Sequence, residues 1–289
     1  MNGGPPIDRR QVRRSFARAA ESYDEAGILQ AEVRRRLLER LDWLALEPRR
    51  ILDLGSGTGL ALAPLTARYP QAEVIGLDLT PAMLQVARAR PWTGGLICAD
   101  AASLPFPDQS FDLIFSNLAI HWSPALDAVL AEVRRVLRHP GVFTFTTPGP
   151  GSYRELRRAW LAVDEAPHVL PFPEMHALGD GLLQAGLAEP VLDTETLTLR
   201  YRDFGGLVAD LRATGTTNAS GGRRAGLMGR QAWSRLVAAY EENRDVDGLL
   251  PATVEVVYGQ AWSAGAARGR RAPGTEITVP LDALRRRPH

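Results

Sequence analysis

The chain has 289 residues, 45 % of them apolar, enough for one large domain or two small ones around a buried core. A formal net charge of +1 gives no compositional pointer to nucleic acid or to a membrane surface, and no stretch approaches the ~20 apolar residues of a membrane span. The single cysteine, Cys98, excludes an intrachain disulfide, and the polar, basic start lacks a signal-peptide core, so a cytoplasmic protein is expected.

Residues 1–8, with Gly3, Gly4, Pro5 and Pro6, read as loose. Apolar residues then recur at helical spacing (Val12, Phe16, Ala19, Tyr23, Val33, Leu37, Leu41, Leu44), predicting two helices joined near 22–27 and stopped by Pro48. A short apolar run at 50–54 enters a glycine loop and predicts a buried strand, followed by a helix at 60–68. Further strands are predicted at 73–79, 95–99, 111–117 and 141–147, alternating with helices at 81–90, where Thr80 is the expected N-cap, and 124–137. That alternation implies a doubly wound parallel sheet. Beyond Gly149 the pattern predicts helices at 174–185, ended by Gly186, and at 204–213 and 231–242, with strands at 190–201 and 253–262.

The most informative segment is Asp53-Leu54-Gly55-Ser56-Gly57-Thr58-Gly59, between a strand and a helix. Glycine permits positive φ and lets backbone approach a ligand closely, and a helix N-terminus favours a carboxylate. A dinucleotide loop instead follows G-x-G-x-x-G with no acid just before it. Here Asp53 precedes G-x-G-x-G and suits an ammonium, so the loop points to the methionine portion of S-adenosylmethionine. Asp78, ending the second strand about twenty residues on, can accept from both ribose hydroxyls. Asp100-Ala101 ends the third strand and can accept from the adenine amino group, while Ser116-Asn117 would line the methyl-transfer face. All four positions are C-terminal strand ends, where open α/β sheets bind ligands.

On these residues the segment 50–147 resembles the class I S-adenosylmethionine-dependent methyltransferases. The flanks resemble a narrower family, the malonyl-(acyl carrier protein) O-methyltransferases of biotin synthesis. The matching stretches are Val12 to Ala20 with Tyr23, Ser116-Asn117-Leu118-Ala119-Ile120-His121-Trp122, Gly222-Arg223-Arg224-Ala225-Gly226-Leu227, and Gly248 to Gly259. Ser56 departs from the Cys of many relatives. His121 stands where many have Gln, and there resembles the mitochondrial complex I assembly factors, implied to hydroxylate arginine.

The resemblance implies a Rossmann-like, mostly parallel seven-stranded sheet with an N-terminal helical lid and a helical insertion before the last strand. It divides the chain into tail and lid (1–46), a methyltransferase domain (47–264; cofactor half 47–150, substrate side 151–264) and an Arg/Gly-rich tail (265–289). The cofactor set it implies is Asp53, Gly55, Ser56, Gly57, Gly59, Asp78, Leu79, Met83, Asp100, Ala101 and Asn117, with S-adenosylhomocysteine as product and no metal. The implied acceptor is the free carboxylate of malonyl-phosphopantetheine on acyl carrier protein, with no nucleic acid or membrane partner. Such an acid, of pKa about 4, is ionised at pH 7 and needs positioning rather than a general base. Phe16 and Tyr23, two helical turns apart, are read either as a lid closing over the cofactor or as core. Arg18, Arg223 and Arg224 are candidates to orient the acceptor carboxylate, and His121 is a candidate catalytic residue beside Trp122, with loop packing as its other reading. Trp160, Trp233, Tyr240 and Trp262 read as core, and Arg134-Arg135, 268–271 and 285–287 as possible contacts to an acidic carrier.

Overall fold

The β-branched and aromatic runs of the first half pair into a parallel sheet because each is apolar on both faces and must be covered twice. A computed structural model describes residues 7–92, 94–223, 226 and 228–264. Strands β1 (Arg50–Leu54), β2 (Glu73–Asp78), β3 (Gly95–Cys98), β4 (Phe111–Ser116), β5 (Leu137–Pro148), β6 (Leu187–Tyr201) and β7 (Leu250–Ser263) form one sheet in the order β3-β2-β1-β4-β5-β7-β6. The pairings from β3 to β5 are parallel, whereas β7 enters antiparallel between β5 and β6.

The N-terminal segment forms α1 (Arg9–Ala19), the single turn α2 (Tyr23–Ala26) and α3 (Ile28–Arg40), three pieces where two were expected. Asp8 caps α1 by accepting from the backbone N–H of Arg10 and Gln11. The crossover helices are α4 (Leu62–Arg68), α5 (Pro81–Arg88) and α6 (Leu126–Val136). Thr80 has the extended backbone of an N-cap, but its side chain caps nothing; the Asp78 carboxylate accepts from the Thr80 N–H at 2.7 Å instead. In the second half α7 (Arg154–Trp160), which the periodicity did not show, precedes α8 (Met175–Gln184), α9 (Phe204–Ala213) and α10 (Arg230–Glu241). Gly186 ends α8 at φ 82°, the left-handed terminus expected of it.

One sheet face packs Leu52, Ile114 and Phe143 against Leu130 and Val133 of α6 and Leu182 of α8. The other packs Ile51, Leu113 and Phe115 against Val33 and Leu37 of α3 and Leu62 and Leu65 of α4. A third cluster, with Leu156, Phe204, Leu236 and Tyr240, joins α7, α9 and α10 over the start of β7. Tyr240 is core as expected, its hydroxyl donating to the Pro251 carbonyl at 2.8 Å. No helix among the described residues is long and apolar enough to cross a membrane.

Candidate active site

The C-terminal ends of β1, β2 and β4, with the loop after β3, open onto one cleft. Gly55, Gly57, Asp78, Leu79, Met83, Asp100, Ala101 and Asn117, residues that the sequence reading assigns to the cofactor, all line it. Asp53, Ser56 and Gly59 are not on its lining. Gly59 takes φ 80° and packs on Ala87, while Gly57, at φ 54°, has no neighbour within 4 Å of where a Cβ would stand, leaving room for ligand. The Gly57 N–H donates to Asp78 Oδ2 at 2.9 Å, tying the glycine loop to the end of β2.

Two buried acids set the electrostatics. Asp53 is 2 % exposed and its Oδ2 has no hydrogen-bond partner. Burial, with the Asp78 carboxylate adding to it and Arg34 opposing, pushes its pKa up to about 7. Burial also raises Asp78, against the N–H groups of Thr80 and Gly57, which hold its charged form. An orphaned, desolvated carboxylate beneath an open glycine cradle fits the ammonium and sulfonium cations of S-adenosylmethionine.

The N-terminal helices roof this cleft, with Arg9, Val12, Phe16 and Tyr23 on its lining. Arg9, which sequence reasoning missed, forms an ion pair with Asp100, the carboxylate expected at adenine. Asp24 accepts from Thr58 Oγ1 of the glycine loop and pairs with Arg90. The hydroxyls of Ser15 and Thr217 lie 2.9 Å apart, and the Asp8 N–H donates to the Ala219 carbonyl at 2.7 Å. The N-terminal helices are thus fastened both to the glycine-loop side and to the segment 217–219.

A second, larger chamber of about 280 Å³ lies beneath the lid between α7, α9 and α10. Its walls include Tyr153, Trp160, His168, Phe172, Phe204 and Trp233, and no carboxylate among the described residues. Trp160 and Trp233 are therefore chamber wall rather than plain core. The Trp160 indole stacks on His168 at 3.4 Å between ring centroids, and His168 is held by Asp164 at 2.6 Å. Four residues, Phe16, Tyr23, Leu118 and Trp122, line both spaces and form the partition between them. The Phe16 ring meets Trp122 edge-on at 5.2 Å and lies 6.3 Å from Tyr23, which places the pair between the two spaces. Leu118 stands at φ 49° and Tyr153 at φ 54°, a strained backbone of the kind that clusters at functional sites.

Burial raises the Tyr23 hydroxyl well above its ordinary pKa, with Asp78 adding to it, so it stays protonated. His121 lines the chamber, its Nδ1 buried without a partner, and burial lowers its pKa to about 3, which keeps the imidazole neutral. Asn117 lines the cleft with its polar atoms engaged: Nδ2 donates to the Gln30 carbonyl and Oδ1 accepts from Thr146. Ser116 is buried and donates to the Leu54 carbonyl, which makes it structural.

The expected arginines are placed differently. Arg18 lies exposed, its Nε donating to the Arg14 carbonyl, and lines neither space. Arg223 is spent on Asp8 and the Ser220 carbonyl. Arg224 lies outside the described residues, as does the Arg-rich tail 265–289. Arg135 pairs with Glu132 and Asp108, and Arg134 donates to backbone carbonyls, so neither is a free cation for a carrier. Among the described residues the cation that does reach the chamber is Arg212, exposed at the end of α9, where no local pattern marks it.

A methyltransferase-domain model matches residues 52–145. Among solved structures, a methyltransferase-like protein of Bacillus halodurans C-125 matches at TM-score 0.58 and 18 % identity over 80 % of this chain and 100 % of its own. A cyclase matches at TM-score 0.59 and 18 % identity over 91 % and 100 %. These likenesses show the fold, which by itself does not set the reaction. Curated sequence relatives are nearer. The malonyl-(acyl-carrier protein) O-methyltransferase of Gallionella capsiferriformans is 48 % identical over 89 % of this chain and 91 % of its own. That of Halorhodospira halophila is 47 % identical over 99 % of both chains. With identity at this level over nearly the full length of both chains, the chain belongs to the malonyl-(acyl-carrier protein) O-methyltransferase family.

Proposed function

We propose that this chain transfers a methyl group from S-adenosylmethionine to the free carboxylate of a malonyl thioester on acyl carrier protein, an early cytoplasmic step of biotin (pimeloyl) synthesis. The observation that carries the reading is the partition of Phe16, Tyr23, Leu118 and Trp122 between the cofactor cleft and a chamber walled without carboxylates. An anionic acceptor entering that chamber meets no like charge from its walls. Residues 7–46 serve as the lid, 47–150 hold the cofactor and 151–264 shape the acceptor side.

Bound S-adenosylmethionine supplies an electrophilic methyl on its sulfonium. Asp53 pairs with the ammonium, Asp78 accepts from the ribose hydroxyls, and the Asp100–Arg9 pair closes the adenine end. The acceptor carboxylate is already ionised, so no side chain has to remove a proton. What the protein contributes is alignment of the attacking oxygen with methyl and sulfur, which can lower a barrier by about 7–11 kcal/mol. The protonated Tyr23 hydroxyl and the neutral His121 imidazole are the positioning donors. Neither carries a full positive charge, so neither ties up the carboxylate lone pairs as an arginine clamp would. The aromatic partition excludes water, which otherwise blunts a carboxylate nucleophile.

The test is an incubation with methyl-labelled S-adenosylmethionine and malonyl-loaded carrier, with succinyl-loaded and unloaded carrier as controls, read by intact mass. A malonyl-dependent gain of one methylene is expected. Cofactor binding by calorimetry with no such gain would move the reading to arginine hydroxylation on the same scaffold.

A further inference from the structure

We propose that the outward face of α1 is the docking surface for the carrier protein, an inference that rests on the substrate reading above. In eleven residues α1 carries five arginines and no carboxylate. Arg9 is turned inward to Asp100. Val12, Ser15 and Ala19 are buried, which directs Arg10, Arg13 and Arg14 outward, and all three are exposed without a carboxylate partner among the described residues. On α3, by contrast, Arg35 pairs with Glu32 and Glu39, Arg36 with Glu32 and Glu195, and Arg40 with Asp193. Like charges at i, i+4, as Arg10 and Arg14 are, cost a helix a few tenths of a kcal/mol. That cost stands uncompensated in the isolated chain, and an anionic partner would relieve it.

The stripe is also in the right place. Phe16 of the same helix lines both the cleft and the chamber. The turn after α9 packs directly on α1: a Cβ at Gly215 would stand 3.1 Å from the Ser15 carbonyl oxygen and 3.2 Å from Phe16 Cα. This brings the exposed Arg212, on the chamber rim, alongside the helix. The occupant we assign is an acidic helix of the carrier, with its phosphodiester running over the rim towards Arg212 and its malonyl end inside the chamber. The pattern is one of electrostatic complementarity, acting on association rate and salt dependence more than on chemistry.

The experiment compares wild type with R10E/R13E/R14E on two acceptors, malonyl-carrier and malonyl-pantetheine, the latter having no protein and no phosphate. Glutamate keeps good helix propensity, and an unchanged thermal midpoint and cofactor affinity verify the fold. The variant is expected to lose about tenfold or more in kcat/KM on malonyl-carrier at low salt, mainly through KM, and to stay within roughly twofold on malonyl-pantetheine. Wild-type activity on malonyl-carrier should fall as salt is raised from about 0.05 to 0.5 M, and the variant's should not. Full activity of the variant on malonyl-carrier, or equal loss on both acceptors, overturns the proposal while leaving the substrate reading standing. A wild type inactive on both malonyl acceptors defeats the substrate reading, and the docking surface with it.

Discussion

Asp53 links the chemistry of the cofactor to solution pH. In the ligand-free protein its pKa stands near 7, against about 3.8 in the unfolded chain. The folded state therefore holds this proton more tightly, and the stability it contributes is present below about pH 4 and lost as pH rises towards 7. A cationic cofactor reverses the preference, because an ionised Asp53 then has a partner. Cofactor affinity should accordingly rise between pH 6 and 8, with protons released on binding, measured by calorimetry in buffers of different ionisation heat. Asp53→Asn should raise the ligand-free thermal midpoint at pH 7.5 by a few degrees, abolish that proton release and weaken cofactor binding. A pH-independent affinity in wild type would show that Asp53 does not face the bound cations. In the proposed mechanism Tyr23 serves a different step. Its hydroxyl, held protonated at the partition, makes no hydrogen bond within the described residues. Tyr23→Phe should reduce turnover about tenfold or more and change cofactor affinity less than twofold, an outcome steady-state rates and equilibrium binding resolve separately.

At the scale of an element, the glycine loop is fixed by its neighbours as much as by its own sequence. Gly55 takes φ 78°, and a Cβ there would lie 2.2 Å from the Ala119 Cβ of the loop after β4. Gly55→Ala thus adds a left-handed strain of about 1–2 kcal/mol to an overpacking cost of about 1–3 kcal/mol. Adding Ala119→Gly should recover the overpacking part alone, so the double variant is expected to be more stable than Gly55→Ala and still less stable than wild type. Denaturation midpoints of the four proteins test this, and simple additivity would contradict the contact. The strands β1 to β5 were readable because each is a local apolar run closed by turn residues. Helix α7 was not, since Arg154, Glu155, Arg157 and Arg158 hide an apolar face reduced to Leu156, Ala159 and Trp160. Strand β6 alternates as predicted but begins three residues earlier, at Leu187, across an irregularity between Ala188 and Val191 that breaks the period.

On the scale of the whole molecule, the N-terminal helices join the cleft to the chamber. Arg9 to Asp100 and Asp24 to Thr58 and Arg90 fasten them to the cleft side, while Ser15 with Thr217 and Asp8 with Ala219 and Arg223 fasten them to the chamber side. Filling the cofactor cleft should therefore slow amide exchange in α1 and α2 and also around 214–220, which lines the chamber rather than the cleft. Mass-resolved hydrogen exchange with and without S-adenosylhomocysteine tests this, and protection confined to the glycine loop would show that the lid does not couple the halves.

That Gly55, Gly57, Asp78, Asp100 and Asn117 share one cleft was legible in the chain itself because its signals are local: an acid, spaced glycines and carboxylates at successive strand ends, each a few residues from the turn that presents it. The acceptor side was not. Its chamber is assembled from Phe16, His121, Tyr153, Trp160, Phe172, Phe204 and Trp233, residues up to about two hundred positions apart, several of which have the local pattern of ordinary core. Insertion of β7 between β5 and β6, and packing of α9 against α1, bring them together, and both depend on long-range pairing that no short window encodes. The same holds for charge. A chain whose cations are all arginine does not say which of them are free. Only the packed structure shows Arg18 and Arg223 away from the chamber, Arg212 on its rim and Arg9 on Asp100, because an ion pair is decided by what folding places beside it.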